Sequence, residues 1–350
     1  MSADAVQRLV AAVEPASADV RAAAVARIAS LATPPGALGD LGGLAVHLAA
    51  STAQLPPPRF DDAAVIVCAG DHGVHAQGVS PWPQEVTAVM ASTVAAGRAG
   101  VSAIAAAVGA RVEVLDVGIA TPLAAESGVT PAHVVSGTRD ASVEDAMTVD
   151  EAARAVLAGA AAADGAIDTG AELLVTGDLG IANTTSSAVL IAACTGAAAA
   201  EVTGRGTGID DETLAHKTDV VATVLDRIDR DADGLELLAA VGGAEHAALV
   251  GVILTGAARR VPVVLDGVIA DAAALVAARL APAVVDHLVA GHRSTEPGAS
   301  KGLDHLGLTP LLELELRLGE GSGAALAVPI VRAASRLLRD VATLEELGFA

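Results

Sequence analysis

Four glycine-bearing segments of this 350-residue chain hold residues able to bind anions, ligate metals or move protons. In AELLVTGDLGIANTTSSAVLIAA, an apolar run closes at Thr176-Gly177-Asp178, and Asn183-Thr184-Thr185 then opens a helical pattern. Asn and Thr are good N-caps, and exposed amides at a helix start favour an anion such as phosphate. A capped turn with no ligand is the more ordinary reading of this segment alone, because that is how most helices start. TGRGTGIDDETLAHKTDVV places Gly204, Gly206 and Gly208 ahead of an acidic helix start carrying Lys217. The glycines allow close backbone approach to a ligand, and the acids suit the positive end of a helix. Lys217 and Lys301 are the only lysines in the chain, so the placement of Lys217 behind that glycine run stands out against the reading as a solvated surface charge.

The third segment, AGDHGVHAQGVSPWPQEVT, offers two readings. Asp71, His72 and His75, with Asp266 elsewhere, could ligate a metal in a hydrolase, although ordinary loop hydrogen bonding explains them too. Ser80 and Gln84 beside Trp82, the sole tryptophan, suit a flat heterocycle better than a metal. In the fourth, LGEGSGAA, Glu320 lies between two glycines, where a carboxylate can face a cleft as general base or simply favour a helix start. GxGxxG, GxxxxGK[ST] and HExxH are all missing.

These residues need elements to position them. AAVIVCAG, RVEVLDVG, ELLVTGD and VPVVLDG are continuous β-branched runs separated by alanine-rich helical stretches. That alternation predicts an α/β fold whose parallel sheet is covered by helices on both faces, with ligands at the carboxyl ends of the strands. Asp71-His72, Asp116-Val117-Gly118, Thr176-Gly177-Asp178 and Asp266-Gly267 fall at those ends. The first 50 or so residues read as helices closed by Pro56-Pro57-Pro58, while GHRSTEPGASKG reads as a Gly-, Ser- and charge-rich loop and two further helices are expected at the end of the chain. The expected organisation is a helical lobe from 1–58 and 291–350 around a catalytic α/β unit at 59–290.

Composition narrows the partners. The formal charge of −21 disfavours nucleic acid and anionic membranes, so any phosphate must be held locally. Cys68 and Cys194 lie far apart and read as small buried hydrophobes. The N-terminus lacks a secretory pattern and no apolar run reaches a membrane-spanning length, so a soluble cytoplasmic protein is expected. With one Trp, two Phe and no Tyr, the core must be built from Ala, Val, Leu and Ile.

In order, PPGALGDL, AGDHGVHAQGVSPWPQEVTAVM, LDVGI, TGDLGIANTTSSA, TGRGTGID with AHK, VGGAEHAALVGVILTGA and GHRSTEPGASKGLDHLGLTPLLELELRLGEGSGAALA resemble the nicotinate-nucleotide–dimethylbenzimidazole phosphoribosyltransferase family. The stretches run from Pro34 to Ala327, and the most specific is LGEGSGAALA after what reads as a long LGL-P-LL helix. The resemblance implies a Rossmann-like large domain, a small helical domain, a homodimer and a reaction needing no metal or cofactor. It places Glu320 on the general base and Asp178 near the reacting ribose. Gly180, Asn183, Thr184, Gly204, Lys217 and Ser294 fall around the ribose phosphate, and Ser80 and Gln84 in the benzimidazole pocket, a segment that also holds Trp82. Asp178 replaces a usual Glu, Asp40 and Gly42 replace a basic and an acidic residue, Arg98 replaces a glycine and Ala299 a histidine. A metal-dependent hydrolase and a catalytically impaired nucleotide-binding homologue are the competing readings.

Overall fold

The computed structural model describes residues 1–349. Three helices open the chain, α1 (Ser2–Ala11), α2 (Ala18–Ser30) and α3 (Gly39–Thr52), before the proline run ends the helical section. β1 (Ala63–Gly70), α4 (Glu85–Ala95), α5 (Gly100–Val108), β2 (Ala110–Gly118), β3 (Thr130–Pro131), α6 (Val149–Asp168) and β4 (Leu173–Leu179) follow. Next come α7 (Asn183–Thr195), α8 (Ala199–Val202), α9 (Asp211–Arg227), α10 (Gly234–Val241) and α11 (Ala244–Ala258). β5 (Val263–Leu265), α12 (Val268–Leu280), β6 (Leu288–Ala290), α13 (Pro297–Leu306) and α14 (Ser322–Asp340) complete the order.

The six strands form one parallel sheet in the order β3-β2-β1-β4-β5-β6. Chain order reverses direction between β1 and β4, and a crevice at such a switch point, outside the strand carboxyl ends, is where open α/β sheets bind ligands. Side chains alternate across a strand, so β1 feeds two cores. Ile66 and Cys68 join one cluster with α6, α7, α11 and α12, while Val65, Val67 and Ala69 join another with α3, α4, α5 and α14. Both sheet faces are therefore covered, as the unbroken apolar runs require.

Among the ends of the chain, α2 and α3 pack together and against α14, while α1 packs on α6 and α11. Three local expectations are corrected. Residues 307–321, read as a long LGL-P-LL helix, carry no helix. The stretch instead runs as an irregular strap whose backbone pairs with residues 290–295, through Leu311 N–H to the Ala290 carbonyl, Arg293 N–H to the Leu312 carbonyl and Thr295 N–H to the Leu316 carbonyl. Helix α13 arises inside the segment expected to be a loop, started by Pro297, which suits a first helical turn. After α14, residues 342–348 make turns rather than a second final helix. Strands β3 and β6 have only two and three residues, too short for a readable pattern. One stretch among the described residues, Glu85–Val108, is long and apolar enough by composition to cross a membrane. It folds as the two helices α4 and α5, both packed on the sheet.

The near-absence of aromatics is met by close helix packing. Phe60 is buried, but Trp82 and Phe349 are exposed, so small side chains fill the interior. At the α6–α11 contact the backbones almost touch. A Cβ on Gly159 would lie 1.8 Å from the Ala248 carbonyl oxygen, and one on Gly251 would lie 1.9 Å from that of Val156. No side chain fits there without separating the helices. Gly165, on the exposed side of α6, has open space instead, with nothing within 4 Å of the point a methyl group would occupy. Gly159→Val is therefore expected to cost about 3 kcal/mol by overpacking, whereas Gly165→Ala should stabilise by about 0.5–1 kcal/mol through helix propensity. Denaturant unfolding of the two variants checks both signs.

Candidate active site

A cavity of about 410 Å³ lies over the carboxyl ends of β4, β5 and β6. It is lined by Asp178, Gly180, Asn183, Thr184, Ser294 and Glu320, and by the apolar side chains of Trp82, Val86, Met90, Leu179 and Leu318. A recess of about 40 Å³ continues from it, sharing Gly180, Asn183, Thr184 and Gly206 and adding Ser80, Arg205 and Lys217. The predicted site residues thus gather from β4, α7, the glycine run and the strap before α14.

Glu320 owes its position to an unusual backbone. Gly319, Glu320 and Gly321 have φ of 77°, 64° and 91°, three consecutive left-handed residues. Glycine accepts that conformation freely, but Glu320 in it is strained and must be held by its surroundings. Two contacts hold it. The Glu320 carbonyl packs where a Cβ on Gly177 would be only 2.5 Å away. The Asp266 carboxylate accepts Gly321 N–H at 3.1 Å and Ala324 N–H at 2.9 Å, capping the start of α14 from the end of β5. The Glu320 side chain is buried, and its Oε2 accepts the Val101 N–H at 3.2 Å in the first turn of α5. Burial raises its pKa, Asp266 adds to the rise, and the Val101 bond opposes it.

Asp178 ends β4 opposite Cys68 of β1. Its Oδ2 accepts the Asn183 amide at 2.9 Å, while Oδ1 is buried without a protein partner. Burial foremost, then Asp266 and Glu245, push its pKa well above the usual carboxylate range. Asn183 is thus the first residue of α7 rather than its cap. The N-cap is Ala182, at φ 74°, and no side chain satisfies the first-turn amides. The Asn183 and Thr185 N–H groups donate to the Gly180 and Ala182 carbonyls, and Ala182, Asn183 and Thr184 line the recess that Lys217 closes.

Lys217 is almost wholly buried, against the surface alternative. Its Nζ donates to Thr184 Oγ1 at 2.8 Å and to the Gly204 carbonyl at 3.1 Å. An ammonium has three N–H donors, so one is left for a ligand. Burial lowers its pKa to about 8, with Glu296 pulling the other way. Glu296 also accepts the Gly206 N–H at 2.8 Å, bracing the glycine run, and its own N–H donates to Ser294 Oγ at 3.4 Å.

The other predicted residues separate. Trp82 is half exposed and lines the large cavity. Ser80 faces the small recess, and the Gln84 amide donates to the His72 carbonyl at 2.8 Å instead of lining either space. The four candidate metal ligands do not converge. Asp71 accepts from Thr87 and Ala120, His72 contacts Ser186 and Glu245, His75 contacts the Trp82 carbonyl, and Asp266 caps α14. Sequence reading missed Arg317, whose Nη1 donates to the Gly206 carbonyl at 2.6 Å at the cavity edge. It also missed Glu296, Val86, Met90 and Leu318. Arg317 lies three residues before Glu320, and that spacing was its one available signal.

Electrostatically the space is divided. Lys217, Arg317 and the start of α7 favour an anion at one end, while Asp178 and Glu320, backed by Asp266, crowd acid at the other. Raised carboxyl pKa values in a cleft mark an arrangement that a cationic ligand centre would relieve.

Comparison with known proteins agrees with this geometry. A family model described as "Phosphoribosyltransferase" matches residues 13–348. A nicotinate-nucleotide–dimethylbenzimidazole phosphoribosyltransferase of Salinispora tropica is 52% identical, covering 98% of this chain and 99% of that protein. Proteins of the same name from Chloroflexus aurantiacus and Mycobacterium avium are 49% and 48% identical, over 94% and 97% of this chain. The crystal structure of CobT from Thermus thermophilus superimposes with a TM-score of 0.92 at 45% identity, covering 95% of this chain and 99% of that one. The chain belongs to this phosphoribosyltransferase family.

Proposed function

We propose that the chain transfers the phosphoribosyl group of nicotinate mononucleotide to 5,6-dimethylbenzimidazole, giving α-ribazole 5′-phosphate and nicotinate. The carrying observation is the division of one cavity into an anion-binding end and an acid-lined end. Nicotinate mononucleotide has the matching polarity, a phosphate at one end and a cationic pyridinium at the glycosidic bond. In this reading the phosphate sits against Lys217, Thr184, the start of α7 and the Gly204–Gly208 run, with Arg317 beside it. Asp178 and Asn183 face the ribose, and Ser294 borders it. The base occupies the apolar side, between Trp82, Val86, Met90, Leu179 and Leu318.

One ring nitrogen of the base attacks C1′ from the face opposite the pyridinium. The C1′–N bond breaks with its electron pair moving to the nicotinate nitrogen, which becomes neutral. Glu320 takes the proton from the other ring nitrogen. Inversion follows from the opposed faces, so a β-nucleotide yields an α-nucleotide. Positive charge grows on the ribose as the bond breaks, and the unpartnered Asp178 oxygen is placed to stabilise it. Positioning of two substrates in one closed space supplies much of the remaining rate. Its raised pKa makes Glu320 a better proton acceptor than an exposed carboxylate. Two half-exposed side chains at the cavity, Trp82 and Leu318, with Val89 and Leu314 nearby in sequence, leave apolar surface that supports pairing of two copies as a homodimer.

Three outcomes test this. Purified protein given both substrates should release nicotinate, and Glu320→Gln should lower kcat by about 10²–10⁴-fold while still binding the nucleotide in calorimetry. No nicotinate from the natural chain, with benzimidazoles or purines, overturns the reading. Lys217→Met should lower kcat/KM for the nucleotide by about 10–100-fold, mostly through KM, as expected for a lost charged hydrogen bond. The pH profile of kcat/KM should be a bell. Activity rises with pH as Glu320 loses its proton, above the usual carboxylate range, and falls above about 8 as free Lys217 loses its charge.

A further inference from the structure

Behind the cavity wall lies a buried polar cluster to which the proposed reaction assigns no role. Glu245, in the first turn of α11, is wholly buried, as are His72 and His246. One oxygen, Glu245 Oε1, lies 2.6 Å from His72 Nε2 and 2.8 Å from His246 Nδ1. The His72 contact is a hydrogen bond, whereas His246 Nδ1 accepts the Gly243 N–H at 3.2 Å and makes a close polar contact with Glu245. Burial alone would raise the carboxyl pKa, but His72 and His246 outweigh it and keep Glu245 well below the usual range. Each ring reaches onward to α7. His72 Nδ1 is 3.0 Å from Ser186 Oγ, and His246 Nε2 is 2.8 Å from Ser187 Oγ. The Ser187 hydroxyl in turn donates to the carbonyl of Asn183 at 2.9 Å.

The same turn also ties down α4. The His72 carbonyl accepts the Gln84 amide, and the Asp71 carboxylate accepts the Thr87 hydroxyl at 2.6 Å. Thr87 Oγ1 then accepts the N–H of Ile181, in the loop leading to α7. α4 carries Val86 and Met90 of the apolar side, and α7 carries Asn183 and Thr184 of the nucleotide side. Two walls of the cavity that share no chain continuity are thus bonded to one dipeptide, Asp71-His72, and that dipeptide is bonded to Glu245. Hydrogen bonds in a buried, low-dielectric setting restrict the groups they join, and here Glu245 Oε1 makes the contacts while Oε2 is buried without a partner.

We infer that Glu245 is a positioning residue: through His72 and His246 it holds α4 and α7 as one rigid frame and so sets the distance from base to C1′. The inference rests on the reaction proposed above. A shift of about 1 Å between reacting groups costs as much as roughly 100-fold in rate. Losing the anchor should therefore lower kcat and spare KM, since neither substrate touches Glu245.

Steady-state kinetics with nicotinate mononucleotide and dimethylbenzimidazole on the full chain test this. Glu245→Gln should lower kcat at least about tenfold, with both KM values within about threefold of the natural chain. Gln84→Ala should lower kcat about fivefold in the natural chain but less than twofold on top of Glu245→Gln, because the frame is already loose. A merely structural Glu245 would lower the unfolding midpoint and leave the two effects on kcat multiplying independently. If Glu245→Gln does not fold, the milder Ser186→Ala/Ser187→Ala pair carries the test, with the same loss of kcat at unchanged KM. Unchanged kcat in the folded variants, independent effects in the double variant, or losses confined to KM overturn the inference. Absence of nicotinate release by the natural chain overturns the reaction instead, so the two failures are distinguishable.

Discussion

The hold of Asp266 on the start of α14 is the constraint from which the site follows. An acid placed in a left-handed turn between two glycines would relax to an ordinary conformation if left free. Here both oxygens of Asp266 are engaged by Gly321 and Ala324 N–H, and Asp266 N–H donates to Thr176 Oγ1 at 3.0 Å. The ends of β4 and β5 and the start of α14 are thereby joined. Gly177 completes the joint by giving up its side chain, which lets the Glu320 carbonyl come against the strand. The residue pair Thr176-Gly177 thus serves the neighbouring strand and the strap, and Asp178 alone faces the cavity.

That joint has an electrostatic consequence. Asp178, Asp266 and Glu320 come within mutual influence in a buried space, and the proton affinities of Asp178 and Glu320 rise. At the opposite end a buried lysine with two neutral partners keeps one donor free, and the start of α7 lies beside it. A protein of net charge −21 can bind a phosphate because the attraction is local and desolvated. The same desolvation lowers the lysine pKa.

The core is built for closeness. Glycines at the α6–α11 contact bring the backbones together, and alanines dominate the surrounding clusters. Such interiors gain their contact energy from many small groups at short range and leave little room for larger side chains. The frame around Glu245 sits within this close-packed half of the molecule, where α11 meets β1, β2 and β4. Its polar members have low freedom to move, which is what a positioning role requires.

Much of this was legible in the residues themselves. Apolar runs closing in Gly and Asp marked β1, β2, β4 and the short β5, because a strand buried on both faces needs an unbroken apolar sequence. The same rule placed Asp178 and Asp266 at the strand ends, and the family resemblance drew Asp178, Asn183, Thr184, Lys217 and Glu320 into one group, which the cavity and its recess bring together. What the residues could not show was direction. Asn183 read as a helix cap but turns back to Asp178, Gln84 read as a ring contact but serves a carbonyl, and the strap before Glu320 read as a helix. Arg317, Glu296 and Glu245 carry little local signal, since the partners that place them lie 111, 90 and 173 residues away in the chain. Local sequence determines which backbone a segment can adopt and which side chains are chemically able. Which of those side chains meet is settled by packing between distant segments, and only the folded chain contains that information.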